Sequence, residues 1–145
     1  MTLSHALVFA QFFSLGLLLL PFGTTYIEYS NYFSLTCNAV ALSLAVWIFT
    51  HNRPGNFNII PDIKEGCRLI KSGPYAYIRH PMYSAVLLFA LSTLSMFALW
   101  KIGVVVILVL ILYFKAKREE NFWCAKTAEY QAYQKETKMF IPFIL

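Results

Sequence analysis

Long uninterrupted apolar runs are the feature that most restricts how this chain can fold. Three runs of about 20 residues, at positions 3–22, 32–50 and 82–100, contain no acidic side chain. A helix needs roughly 20 apolar residues to cross a hydrocarbon core of about 30 Å. Since 59% of the residues are hydrophobic and 13% are charged, the composition also falls outside the range of soluble domains. The chain is therefore predicted to be an all-α integral membrane protein.

A fourth apolar run, at positions 102–114, is shorter than the others. As a helix its 13 residues reach about 20 Å, so Lys115 and Lys117 are expected to snorkel towards the membrane surface. The helix is expected to continue through Glu119 and Glu120, which places both carboxylates at the membrane–water boundary. The sequence thus predicts a single domain, residues 1–145, with about four transmembrane helices. These helices are predicted at about residues 3–22, 32–50, 82–100 and 102–118.

Positive charge is concentrated in two segments of the chain. Five of the twelve Lys and Arg residues lie between the second and third runs, and six follow the fourth. The positive-inside rule places both segments in the cytosol, and an even number of spans places both termini there as well. The loop of residues 51–81 and the C-terminal segment of residues 119–145 can then form one site. Aromatic and aliphatic residues in the loop favour an ordered loop, and the C-terminal segment is predicted to contain an interfacial helix.

Several other kinds of site are disfavoured by the sequence. The net charge is +5, and the basic residues lie beside apolar runs. Lipid headgroups are therefore the predicted partner, and nucleic acid is not. Three widely spaced cysteines fit neither a disulfide framework nor a zinc knuckle, and no metal site is predicted. The six glycines form neither G-x-G-x-x-G nor a P-loop. Because no Lys or Arg precedes the first run, we interpret it as a retained helix and not as a cleaved signal.

The densest group of reactive side chains directly precedes the third run. It reads Gly73-Pro74-Tyr75-Ala76-Tyr77-Ile78-Arg79-His80-Pro81-Met82-Tyr83. Pro81 suits the first turn of a helix, because its missing N–H would have no intrahelical partner there. Such a helix end offers free amide donors and partial positive charge, which suit a carboxylate. An anchor at the membrane interface would also explain the tyrosines and Arg79 individually.

A second group, at the end of the fourth run, combines adjacent carboxylates with aromatic rings. Glu119 and Glu120 are followed by Phe122 and Trp123. A carboxylate beside aromatic rings can stabilise a cationic ligand. Alternatively, Glu119 forms an ion pair along the helix with Lys115, four residues earlier. A further aromatic stripe, formed by Trp123, Tyr130 and Tyr133, is more typical of packing than of ligand contact.

Together these motifs resemble those of a known family. The run from Gly73 to Tyr83, then Glu119-Glu120, Tyr130-Gln131-Ala132-Tyr133 and Phe140-Ile141-Pro142-Phe143, resembles the isoprenylcysteine carboxyl methyltransferase family and its phospholipid methyltransferase relatives. The resemblance extends over about residues 53–145. It implies a methyltransferase that uses S-adenosylmethionine as its cofactor at the cytosolic face of the membrane. The implied acceptor is lipophilic or small: an isoprenylcysteine carboxylate, a lipid amine or a thiol.

The resemblance also implies roles for individual residues. His80 and the helix end at Pro81 would contact the amino-acid part of the cofactor, and Glu119 would contact the cofactor as well. The remaining residues implied in cofactor binding are Leu69, Ile70, Gly73, Tyr75 and Tyr83. Arg79 and Glu120 are the candidate catalytic residues, with cofactor, substrate and structural roles open for both. A carboxylate acceptor needs no general base, whereas a thiol or amine needs one, for which His80 or a tyrosine is a candidate.

Two alternative functions follow from the same residues. Membrane sterol-type reductases contain a motif similar to Arg-His-Pro-x-Tyr and use NADPH, but they are much larger proteins. A noncatalytic membrane adaptor or headgroup-binding protein is the third hypothesis. Binding of S-adenosylhomocysteine distinguishes the methyltransferase from both, while none of these motifs encodes the identity of the acceptor or the oligomeric state.

Overall fold

A computed structural model describes residues 2–20, 32–52, 60, 67–96 and 99–144 of the 145-residue chain. Over these ranges the chain is helical and contains no strand, only one isolated parallel bridge between Ile78 and Lys138. The five α-helices are α1 (Leu3–Leu19), α2 (Tyr32–His51), α3 (Pro81–Ser92), α4 (Leu99–Lys126) and α5 (Ala128–Glu136). Two short 3₁₀ turns occur at Gly73–Ala76 and Thr93–Met96. The predicted all-α class is confirmed.

The boundary between the third and fourth helices differs from the prediction. The third helix ends at Ser92 and not near residue 100, because the side chains of Ser92 and Thr93 donate to the carbonyls of Phe89 and Ala90 at 2.6 and 2.7 Å. Such hydroxyls compete with the main-chain ladder and favour the 3₁₀ turn that follows. The next helix begins at Leu99 and runs without a break to Lys126. The expected continuation through Glu119 and Glu120 is therefore present.

The helices place small and polar side chains inside and large apolar side chains outside. The buried residues of α1 are Ser4, Gln11, Ser14 and Leu18, and those of α2 are Ser34, Cys37, Ala41 and Ile48. Phe9 and Phe13 of α1, by contrast, are 66% and 58% exposed. This arrangement is inverted relative to a water-soluble bundle and suits helices surrounded by lipid. Of the described helices, α2 is long and apolar enough to cross a membrane, whereas α1 and α3 are apolar but shorter. The number of four spans stays a prediction.

Polar bonds fix α1 against α4 in an antiparallel arrangement. Arg118 Nε donates to Ser4 Oγ at 2.9 Å, Lys115 Nζ donates to Gln11 Oε1 at 2.6 Å, and Lys101 Nζ donates to the Leu18 carbonyl at 3.2 Å. The expectation that Lys115 snorkels is wrong, since Lys115 is 1% exposed and bonds across to α1. The side chain of Lys117, by contrast, is 48% exposed.

The packing order brings α3 and the end of α4 together beneath the C-terminal segment. α2 packs against α3, α3 packs against α4, and α4 packs against α1. The central core cluster is formed by residues of four regions: Leu18, Tyr83, Ala90, Val105, Leu108, Leu112, Ala116, Met139 and Phe140. Tyr83 therefore belongs both to the core and to the motif that the sequence singled out.

The orientation of the protein in the membrane gives the first testable prediction. In a variant without native cysteines, Lys71→Cys and Lys135→Cys should both react with a membrane-impermeant maleimide in inside-out vesicles and not in intact cells. The physical reason is the positive charge of both segments. Permeabilised cells, in which both positions should react, provide the control. Labelling of the two positions from opposite sides would contradict the proposed topology.

Candidate functional site

The loop before α3 pairs directly with the C-terminal segment. The main-chain N–H groups of Arg79 and His80 donate to the carbonyls of Lys138 and Met139 at 2.8 and 3.1 Å, and Lys138 N–H donates to the Tyr77 carbonyl at 3.3 Å. These bonds join two segments that are almost 60 residues apart in sequence. The predicted contact between the loop and the C-terminal segment is therefore present in the structure.

The end of α2 contacts the part of this loop around Gly73. His51 Nε2 and the Ser72 hydroxyl are 2.9 Å apart, and Asn52 Nδ2 donates to the Tyr75 hydroxyl at 3.2 Å. Gly73 between them has a φ of +60°, and a Cβ atom there would lie 2.6 Å from the His51 ring. A glycine is thus required at position 73 both by the left-handed backbone and by the closeness of the imidazole.

Arg79 joins the loop to α4 and α5. Its Nε donates to Glu120 Oε1 at 2.7 Å, and its Nη1 donates to the carbonyls of Gln134, at 3.2 Å, and of Thr137. Gln134 Nε2 in turn donates to Glu120 Oε2 at 3.0 Å. The side chains of Arg79 and Glu120 are 10% and 2% exposed. A guanidinium that bonds both a buried carboxylate and the last carbonyls of a helix satisfies acceptors that would otherwise be costly to bury.

His80 lies between the two adjacent carboxylates. Its Nδ1 is 3.4 Å from Glu119 Oε2 and its Nε2 is 3.3 Å from Glu120 Oε1. Burial disfavours the charged ring, but the hydrogen bonds and negative charges of Glu119 and Glu120 outweigh it and raise the pKa of His80. Burial likewise opposes ionisation of Glu120, yet the bonds and charges of His80 and Arg79 lower its pKa to about 2. A carboxylate near each ring nitrogen thus favours the protonated form of His80.

Tyr83 of α3 completes this arrangement. Its hydroxyl donates to Glu119 Oε1, and its ring stacks on the His80 ring with centroids 5.4 Å apart and planes 4° apart. Glu119 thereby has one oxygen directed to Tyr83 and the other to His80. Its side chain keeps 23% of its surface exposed, whereas Glu120 is enclosed.

A cavity lies between the loop, the start of α3, the end of α4 and α5. Of the eight residues predicted to bind the cofactor, seven line it: Leu69, Ile70, Tyr75, His80, Pro81, Tyr83 and Glu119. Gly73 does not line the cavity but supports the loop beside it. Of the two candidate catalytic residues, Arg79 lines the cavity and Glu120 does not. The roles of all ten residues stay predictions, although the fold brings them to one place.

The cavity also contains residues that the sequence did not assign to the site. Trp123 stacks on Tyr130 with centroids 5.9 Å apart, and both rings line the cavity together with Tyr133. These three form the aromatic stripe whose pattern is typical of packing, and their helical spacing is the signal that could have identified them. Met82 also lines the cavity, and it lies within the run from Gly73 to Tyr83 without a role assigned to it. The other unassigned lining residues are Asn52, Ile60, Cys67 and Arg68, for which no motif gave a signal. Burial raises the pKa of the phenols of Tyr75, Tyr130 and Tyr133, which keeps them neutral at physiological pH.

Comparison with known protein families identifies the family of the chain. A family model described as "Isoprenylcysteine carboxyl methyltransferase (ICMT) family" matches residues 33–124. This region contains Arg79 and His80 as well as Glu119 and Glu120, and it ends before α5. A search of the curated proteins finds no match to this chain.

The environment of Gly73 predicts that substitution there disrupts the loop. Gly73→Ala should lower the thermal unfolding midpoint in detergent and expose the loop to limited proteolysis. The left-handed backbone alone costs an L-residue about 1–2 kcal/mol, and the contact with His51 adds to it. Gly103→Ala is the matched control, because a Cβ atom added to Gly103 in α4 would meet no atom within 4 Å, and alanine should be tolerated there.

Adding His51→Ala to Gly73→Ala separates the two causes. Because His51→Ala also removes the contact with Ser72, the effect of Gly73→Ala is measured against His51→Ala alone, where it should be smaller than in the wild type since the ring contact is absent. No effect in that background would show that the backbone conformation costs nothing, and a fully tolerated Gly73→Ala in the wild type would contradict the described loop.

The Glu120 ion pair predicts how stability depends on acid. The pKa of about 2 in the folded state lies below the value of about 4.3 for an unfolded glutamate, so the carboxylate stabilises the fold above pH ~4.3. That contribution, up to about 3 kcal/mol, is lost as the pH falls from about 4.3 towards 2. Glu120→Gln should therefore be less stable than the wild type at pH 6, with a difference that narrows on acidification. Thermal unfolding in detergent over this pH range measures the effect.

The surface ion pair of Glu129 provides the control for this measurement. Glu129 lies 2.5 Å from Lys71, but the two side chains are 57% and 45% exposed. Such pairs contribute about 0–1 kcal/mol, so Glu129→Gln should change stability little at any pH. A constant difference between the wild type and Glu120→Gln across the acid range would contradict the ion pair.

Proposed function

Because the chain belongs to the isoprenylcysteine carboxyl methyltransferase family and is thus a membrane methyltransferase, we propose that it methylates a lipophilic or small acceptor with S-adenosylmethionine. The match confirms the resemblance that the sequence motifs indicated, and it favours a methyltransferase over the NADPH-dependent reductase and the adaptor. The observation that most supports the proposal is the cavity in which Glu119 stands among aromatic rings. The proposed site faces the cytosol, where both positively charged segments are expected.

The residues of the cavity suit a cationic cofactor. When bound, S-adenosylmethionine supplies a methyl group on a sulfonium sulfur; the acceptor's electron pair forms the new bond and the carbon–sulfur pair returns to sulfur. The Tyr75 ring, which lines the cavity, can attract a cation, and Glu119 offers a carboxylate with part of its surface exposed. Rigid aromatic walls also exclude water and restrict the orientation of what they enclose.

The start of α3 supports binding of the amino-acid part of the cofactor. Pro81, Met82 and Tyr83 form the first turn of α3 and line the cavity. The partial positive charge of a helix N-terminus suits a carboxylate. In this role His80 is a binding residue, and its contacts with Glu119 and Glu120 favour its protonated form.

The contacts of Arg79 and Glu120 favour positioning roles for both residues. Glu120 is enclosed by Arg79, His80 and Gln134 and does not line the cavity. Arg79 directs its donors to Glu120 and to the C-terminal end of α5. We infer that the pair fixes His80 and the aromatic rings of α5, and that catalysis depends on it through their placement.

The protonation states of the lining residues bear on the class of acceptor. Both nitrogens of His80 lie within 3.4 Å of carboxylates, and the raised pKa values of Tyr75, Tyr130 and Tyr133 keep these phenols protonated. These contacts and raised pKa values disfavour His80 and the phenols as bases. A carboxylate acceptor needs no base and is therefore favoured, whereas an amine or a thiol would have to use Glu119, the carboxylate that lines the cavity.

Equilibrium binding and product analysis test the proposed function. The purified protein in detergent should bind S-adenosylhomocysteine, and it should transfer label from methyl-labelled S-adenosylmethionine into a lipid extract. Identification of the labelled product then gives the acceptor. Absence of S-adenosylhomocysteine binding by folded protein would reject the methyltransferase and leave the adaptor or the reductase, the latter recognised by NADPH binding.

Glu119→Gln tests how the site recognises the cofactor. If the carboxylate acts on the sulfonium, this change weakens S-adenosylmethionine more than S-adenosylhomocysteine, because the two ligands differ by one methyl group and one positive charge. Two unit charges about 4 Å apart at an effective dielectric near 20 interact by about 4 kcal/mol before desolvation, so a tenfold differential is expected. Calorimetric titration measures both affinities, with Glu129→Gln as the unaffected control. Equal weakening of both ligands would show that Glu119 contacts a part they share.

A further inference from the structure

A buried lysine contacts an aromatic ring that lines the cavity. Lys115 of α4 is 1% exposed, and its Nζ lies over the Tyr83 ring at 5.2 Å from the ring centroid. The Tyr83 ring lines the cavity and its hydroxyl donates to Glu119. The ammonium group of Lys115 thus contacts a ring that both lines the cavity and bonds to Glu119.

The amino-terminal helix determines where this ammonium group lies. Lys115 Nζ donates to Gln11 Oε1 at 2.6 Å, and Gln11 is 7% exposed in the face that α1 presents to α4. Gln11 precedes the matched region of residues 33–124, so the contact comes from a part of the chain outside the family match. Helix α1 therefore reaches the site through a polar bond and not through a residue that lines the cavity.

Lys115 and Glu119 place opposite charges on the same side of α4. They are four residues apart, which aligns them along one helix face, and Tyr83 contacts both. Methyl transfer discharges the sulfonium, so every fixed charge near the site acts differently on the ligand before and after the reaction. A fixed anion favours the charged reactant, and a fixed cation favours the neutral product.

We propose that Lys115, held by Gln11, is a positioning residue that offsets Glu119 and limits how tightly the site holds the positively charged cofactor relative to its neutral product. The proposal rests on the proposed use of S-adenosylmethionine. For catalysis, Lys115 would limit the affinity for the positively charged cofactor before the reaction. It would not hinder the loss of positive charge from sulfur in the transition state. Lys115 also packs over the Tyr83 ring, so the same side chain helps to fix a residue that lines the cavity.

The ratio of two binding constants measures this effect without reference to activity. Lys115→Met should increase the affinity for S-adenosylmethionine relative to S-adenosylhomocysteine on the order of tenfold, as expected when a fixed positive charge near the site is removed at an effective dielectric well below that of water. Calorimetric titration of the purified protein in detergent with each ligand gives the ratio. A purely structural role would weaken both ligands together and leave the ratio unchanged.

A second variant keeps the lysine in place and tests the same charge. Gln11→Glu puts an anionic partner against Lys115 Nζ, so it should shift the ratio in the same direction as Lys115→Met. It also covers the case in which Lys115→Met does not fold. Lys115→Arg retains the charge and should retain the wild-type ratio.

Lys101→Met is the matched control. Lys101 is also buried in α4 at 2% exposure and also donates to α1, at the Leu18 carbonyl, but it lies 14 residues before Lys115, about 21 Å along the helix. Its substitution should lower stability and leave the ratio unchanged. An unchanged ratio in both Lys115→Met and Gln11→Glu, with both ligands still bound, would overturn the inference and leave the proposed function intact. Failure of the folded wild type to bind either ligand would reject the proposed function and the inference with it.

Discussion

The buried ion pair between Arg79 and Glu120 is the interaction on which the site depends. Removing two charges from water is costly, and a buried pair is retained only when further hydrogen bonds satisfy both partners. Here the remaining donors and acceptors are matched by His80, Gln134 and the last carbonyls of α5. Together these bonds fix the position of α5 relative to α4 and the loop. Since α5 carries Tyr130 and Tyr133, the position of the aromatic wall follows from the ion pair.

Adjacent positions on one helix give the two glutamates different environments. Successive residues of an α-helix point about 100° apart, because each turn holds 3.6 residues. Glu120 accordingly points into the contact with α5 and is 2% exposed, whereas Glu119 points to Tyr83 and the cavity and is 23% exposed. One carboxylate is used for assembly and the other is available to a ligand. His80 contacts both carboxylates, so its protonation depends on the packing of α5 through Glu120 and on the contents of the cavity through Glu119.

The sequence predicted those features that depend on local pattern. Apolar runs gave the helix class, and the motif from Gly73 to Tyr83 with Glu119 gave most of the cavity. What it missed depends on contacts between distant residues. Lys115 was expected to snorkel because nothing near it in sequence indicates Gln11, 104 positions away. The end of α3 was placed too late because apolar content does not reveal that the hydroxyls of Ser92 and Thr93 bond back to the preceding turn. The role of the aromatic stripe of Trp123, Tyr130 and Tyr133 was ambiguous, since residues that pack in a core and residues that contact a ligand show the same helical spacing.

Helix α4 connects the two halves of the molecule. Along its length it bonds to α1 through Lys101, Lys115 and Arg118, and near its end it bonds to the loop, α3 and α5 through Glu119 and Glu120. Hydrogen bonds are directional, so the polar contacts with α1 fix the rotation of α4 where apolar packing alone would leave it less defined. A rotation of α4 about its axis would move Lys115 and Glu119 together. The rotation that α1 imposes is therefore also the one in which Glu119 meets Tyr83 and His80, and the geometry of the site is set partly by contacts made outside the cavity.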